Sequence, residues 1–124
     1  MKDRVEVLER LYASFNARDI DDVLVSLASD VAWANGMDGG HVHGHEGIRE
    51  YWTRQWAVVD PHVEPVRFTP MAEDVIAVEV RQSIRDLEGR PLQEQTHGLR
   101  DKTVKHVFHF RENKVVRFDI QETE

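Results

Sequence analysis

The chain has 124 residues, 40% hydrophobic and 31% charged, the proportions of one soluble globular domain with a core of ordinary size. A formal net charge of −7 with no basic run excludes nucleic acid and anionic membrane as expected partners, since both need a basic face. The absence of cysteine excludes disulfides, thiolate metal sites and cysteine nucleophiles. No apolar run approaches a membrane span, and the charged opening residues 1–7 do not read as a signal peptide, so a cytoplasmic protein is expected.

Val5, Leu8, Leu11, Tyr12 and Phe15 recur at helical spacing and predict an amphipathic helix ending near Asn16–Arg18. Asp19 stands where an N-cap belongs, its carboxylate able to accept from the free amides of a first turn. Ile20, Val23, Leu24 and Leu27 then form the apolar face of a second helix. Residues 30–35 alternate and read as a strand, which Gly36, Gly39, Gly40 and Gly44 break into a loop. From Glu46, the residues Ile48, Tyr51, Trp52, Trp56 and Val59 predict a third helix, stopped before Pro61.

Beyond Pro61 the pattern becomes that of strands. Residues 62–69 are interrupted by Pro65 and read as an edge or bulged strand. Residues 75–86 place Ile76, Val78, Val80 and Ile84 on one face, and 87–90 signal a turn. Residues 93–102 read as strand or loop. Residues 103–111 place Val104, His106, Phe108 and Phe110 on one face, and 114–121 do the same for Val116, Phe118 and Ile120. Glu112 and Asn113 make the hairpin turn between them, Asn tolerating positive φ. Three helices followed by a strongly curved antiparallel sheet give an α+β arrangement, in which the helices cover one face and leave a blind pocket suited to small molecules.

This order resembles the cone-shaped fold of the nuclear transport factor 2-like superfamily, and within it the SnoaL-like domains. The resemblance rests on residues 11–23 at the first helix junction, the spacing from Asp30–Val31 to His43–Gly44, the helix over 46–52, and the closing hairpin over 106–120. It implies a single domain over 1–124 with one pocket and a homodimer formed through the outer face of the sheet. Val107, Val115 and Ile84 would contribute to that interface. Ketosteroid isomerase is a member of this superfamily. Its general-base Asp matches Asn35 here and its protonated oxyanion-hole Asp matches His106, while its oxyanion-hole Tyr has a near counterpart, one residue out of step, in Tyr12. An amide has no useful basicity, so the resemblance carries over the pocket and not that proton shuttle.

Each candidate site residue has two readings. His106, on an apolar inward face, is either a core histidine tied to a partner or a pocket-lining acid or base. Trp33, Trp52 and Trp56, with Phe15, Phe108 and Phe118, are either core packing or flat walls for a ring-containing ligand. Asn35 binds a ligand oxygen or caps the turn at Gly36. Glu79 and Arg81 form a buried acid–base pair if their face of the strand looks inward; the opposite face is the more apolar one, which favours an outward placement, as it does for Arg117 and Asp119. His41, His43 and His45 alternate as metal ligands do, but among glycines and without an evident carboxylate, so no metal and no cofactor is expected. The function expected is binding of a small, mostly apolar molecule. Acid–base turnover of isomerase, dehydratase, cyclase or hydrolase type would use His106, Asn35 and Tyr12. The alternative is a non-catalytic ligand-binding or dimerisation module.

Overall fold

The computed structural model describes residues 2–35, 40–88 and 102–122. Helix α1 (Lys2–Asn16) buries Leu8, Leu11 and Tyr12 along one stripe. It ends because Arg18 takes a left-handed conformation, φ 63°, the stop that glycine more often supplies. Asp19 caps α2 (Ile20–Val25), its side chain accepting from the Asp22 amide at 3.1 Å, and α2 buries Val23 and Leu24. Strand β1 (Leu27–Ala34) leads to the short β2 (His41–His43) and then to α3 (Gly44–Trp56), which buries Ile48, Tyr51, Trp52 and Gln55. Four long strands follow: β3 (Asp60–Ala72), β4 (Val75–Arg85), β5 (Lys102–Arg111) and β6 (Lys114–Glu122).

The six strands form one curled, unclosed sheet in the order β2-β1-β6-β5-β4-β3. All pairings are antiparallel except β1 with β6, which run parallel, so the sheet is mixed rather than wholly antiparallel. The helices cover the inner face, where Val31, Trp33, Ile76, Val78, Val80, Val104, Phe108, Val115 and Phe118 join Leu8, Tyr12, Val23 and Trp52 in one core. Edge strand β3 carries Pro65 and Pro70, tolerable where one row of amides has no neighbouring strand. Asn16, the last residue of α1, holds that strand: its side-chain amide donates to the Val63 carbonyl at 2.7 Å, and its Oδ1 accepts from the Val63 N–H at 3.0 Å.

Several elements differ from their sequence expectation for identifiable reasons. Leu27 belongs to β1 and not to the second helix. His41–His43 is a strand, paired with Ala32–Ala34, where glycines suggested a loop. Gly44, at φ 75°, makes the turn that lets α3 begin two residues early, and Val59 lies beyond the end of α3. Glu112, not Asn113, holds the positive φ of the last hairpin. A register shift on β6 places Val115 opposite Phe110 and skips Val116, so Val115 is the buried residue there. Val115 and Ile84 are core residues, and of the three expected at an outer interface only Val107 keeps an outward, half-buried position. The segment 93–102 up to residue 101, Gly36, Gly39 and the end of the turn at 87–90 lie outside the described residues. Among the described residues no helix is long and apolar enough to cross a membrane.

Candidate functional site

Strand register assembles the inner face row by row. Phe68, Val78, His106 and Ile120 are successive cross-strand partners from β3 to β6, and Ile76, Phe108, Phe118 and Trp33 make a parallel row from β4 to β1. His106 is the one polar side chain in these two rows. Helix α1 lays Tyr12 against it: Tyr12 Oη lies 2.7 Å from His106 Nδ1, and the two rings stack at 5.8 Å with 10° between their planes. Phe118 and Phe108 meet the imidazole edge-on at 4.7 and 6.3 Å. Both partners are buried, Tyr12 to 3% and His106 to 5% exposure.

Burial sets the electrostatics of this pair. It pushes the His106 imidazolium pKa down to about 3 and raises that of the Tyr12 phenol, because neither charged form is solvated there. Both groups are therefore neutral at pH 7. A neutral imidazole nitrogen is a good acceptor, so we assign the Tyr12 hydroxyl as donor to Nδ1, which puts the ring hydrogen on Nε2. The pair can then offer one N–H to an oxygen, whereas a conjugate acid near 3 makes the ring a weak proton acceptor.

An aromatic wall extends from this pair. Trp33 stacks on Phe118 at 4.0 Å and meets Trp52 perpendicularly at 5.4 Å. Trp52 and Trp56, four residues apart on α3, share a face and stack at 5.6 Å. Phe15 of α1 packs edge-on against both, at 5.4 and 5.3 Å. Trp33 and Trp52 are core residues, while Phe15 and Trp56 are half-buried at the margin. Two participants escaped the sequence reading. Phe68 joins the row of His106 through strand register, and its alternation on β3 was the available signal. The Arg18 guanidinium lies 4.8 Å over the Trp56 ring, and nothing in local sequence announces that reach.

The remaining candidates lie elsewhere. Asn35 is half-buried at the end of β1, and its backbone N–H donates to the Gly40 carbonyl at 2.9 Å. Glu79 and Arg81 are exposed on the outer face of β4, where Arg81 pairs with Glu64 at 3.2 Å; the inward acid–base pair does not form, because Val78 and Val80 take the core side. Arg117 and Asp119 are likewise outward. His41 reaches Asp119 at 2.8 Å across the small Ala34, and His109 approaches the same carboxylate at 3.8 Å. Arg117 holds Asp119 through two nitrogens, and these partners outweigh burial in keeping its carboxyl below the usual range. His45 bonds the Leu27 carbonyl, while His43 is exposed, so the three alternating histidines have separate surroundings. Among the described residues no group of three or more metal-ligating side chains is arranged to hold an ion. A surface depression beside α3, lined by Glu46, Arg49, Glu50, Thr53, Arg54 and Ala57, is formed by exposed residues away from the buried Tyr51 and Trp52.

Comparison with known proteins agrees with this architecture. A family model described as a SnoaL-like domain matches residues 8–118. The chain is similar to a nuclear transport factor 2-like protein of unknown function from Burkholderia pseudomallei K96243, with a TM-score of 0.81 and 23% identity over 99% of this chain and 92% of the other. It is similar to TerC, crystallised with polyporic acid, at TM-score 0.80 and 24% identity, covering 98% and 92% of the two chains. An LEH-like epoxide hydrolase of M. tuberculosis gives TM-score 0.76 and 15% identity, covering 97% and 82%. No protein of curated function matches in sequence.

Proposed function

This chain belongs to the SnoaL-like domain family, and on that footing we propose that it binds a small, mostly apolar, ring-containing molecule between its helices and the inner face of its sheet. The observation that carries this reading is the Tyr12–His106 pair, a neutral polar contact of 2.7 Å set in rows of aromatic and aliphatic side chains. A core needs no such pair for stability, since apolar residues of the same shape serve as well. A ligand oxygen that accepts from Nε2–H gives the pair a purpose. Phe15, Trp56, Phe68 and Ile120, half-buried against the core, are the natural walls. Binding of polyporic acid by TerC and epoxide hydrolysis by the M. tuberculosis protein are consistent with such use of the fold, though fold alone does not dictate it.

The catalytic form of this reading assigns His106 to polarise a carbonyl, hydroxyl or epoxide oxygen through Nε2–H rather than to abstract a proton. Asn35, at the end of β1, would be a second polar contact. In the assembled protein a second copy would meet the outer face of the sheet, around Val107.

Native mass spectrometry of untagged protein, released gently from its cellular background, tests both parts. A small organic mass retained by the wild type and lost in His106→Gln supports the pocket, and a doubled protein mass supports the dimer. Protein that carries no small molecule, and whose tryptophan fluorescence responds to no flat ring compound, contradicts the binding reading.

A further inference from the structure

We propose that Trp56 and Arg18 form an anion-receiving end of this site, so that the ligand is a flat ring compound bearing a carboxylate or an equivalent anionic oxygen. The inference rests on the pocket reading above and names its substrate class. Trp56 Nε1 is the one buried side-chain nitrogen or oxygen that lacks a hydrogen-bond partner among the described residues. A buried donor without an acceptor is destabilising, and native proteins seldom keep one without use. The indole is stacked on Trp52 and flanked by Phe15, so its ring already belongs to the aromatic wall while its N–H does not serve it.

The second observation is the cation at the same margin. Arg18 lies over the Trp56 ring at 4.8 Å, and its guanidinium donates to the carbonyls of Phe15 at 3.1 Å and Pro61 at 2.7 Å and to the Asp60 carboxylate. The two carbonyls fix the guanidinium in place. Asp60 is different in kind: its side chain is half exposed, on the first residue of β3, so water can solvate its carboxylate once a ligand displaces it. In the proposed site a ligand carboxylate takes over its position on Arg18 and accepts from the indole N–H of the ring that lies under the same guanidinium. Charge-assisted bonds from indole and guanidinium discriminate an anion from a cation of the same shape. An acidic ligand would then lie with its ring along Phe15 and Trp56 and its far oxygen toward Nε2 of His106.

The test uses the whole protein labelled with nitrogen-15 and two probes of opposite charge on one ring, 2-naphthoate and 2-naphthylmethylammonium. The Trp56 indole resonance is identified by its disappearance in Trp56→Phe. The expected result is that naphthoate moves this resonance and binds at least about tenfold more tightly than the amine. Trp56→Phe, which keeps an aromatic ring, should weaken naphthoate about tenfold and leave the amine unchanged. Asp60→Asn should tighten naphthoate by removing its competitor, a gain that no folding defect can imitate. If both probes bind equally, with Trp56→Phe and Asp60→Asn without effect, the anionic end is overturned and the pocket stands. If neither probe moves an indole resonance in any variant, both are overturned.

Discussion

The bond between Tyr12 and His106 makes protonation and stability one problem. Tyr12→Phe leaves Nδ1 buried without its donor, and should cost about 1–3 kcal/mol in urea unfolding at pH 7.5. The double variant Tyr12→Phe, His106→Leu removes both polar groups and should recover part of that loss. The pH dependence has a definite sign. Above about pH 6.5 the ring is neutral in folded and unfolded chains alike and contributes no slope. Between that value and the folded value of about 3, the unfolded chain takes up a proton that the native protein refuses. Stability therefore falls as pH is lowered through this window, with a slope approaching about 1.4 kcal/mol per pH unit. His106→Gln lacks the titration. Between pH 7.5 and 5.5 the wild type should lose about 1.4 kcal/mol more than this variant, measured by urea midpoints. Equal losses would mean that the ring is protonated inside the fold.

Among the elements, the junction of α1 with β3 depends on one side chain. Asn16 pairs with Val63 as a strand residue would, supplying both a donor and an acceptor to the edge of the sheet. Asn16→Ala should lower stability by about 2 kcal/mol and Asn16→Asp, which keeps only the acceptor, by a comparable amount, seen in thermal or urea unfolding. Such a contact could not be read from sequence, because it joins positions 47 residues apart. The legible part was periodic. Alternation along 103–111 put His106 inward, helical spacing put Tyr12 and Trp52 on buried stripes with Trp56 at the margin of the same face as Trp52, and Asp19 declared its cap. The rest depended on register and reach. Strand β2 has three residues, too few for a pattern, and is flanked by glycines. The skip at Val116 exchanges two adjacent valines between core and surface, which composition does not reveal. Tyr12 reaches His106 across 94 positions, so their bond follows from the assembled sheet and not from either local segment.

At the scale of the molecule, Trp52 joins the three layers of the core, touching Trp33 of β1, Phe15 of α1 and Trp56 of its own helix at 1% exposure. Trp52→Ala should cost about 3–5 kcal/mol, and the measurement is the urea midpoint followed by circular dichroism. Against a total stability of about 5–15 kcal/mol, that leaves the fold marginal. The same substitution should abolish ligand-induced changes at Trp56 even in the folded fraction, since it removes the ring on which Trp56 stacks.

The parallel pairing of β1 with β6 has a consequence for how the sheet is completed. Among the described residues, strands β2 and β1 are joined to the β5-β4-β3 meander through β6 alone, which follows all of them in chain order. Without residues 114–122 the strand order divides into β2-β1 and β5-β4-β3, two part-sheets each with an unpaired edge. Trp33 and Phe108 likewise lack Phe118, the residue that stands between them in their row. Joining of the two halves of the sheet therefore waits on β6, and a chain cut just after β5 is expected to be an aggregation-prone fragment and not a weakened version of the whole.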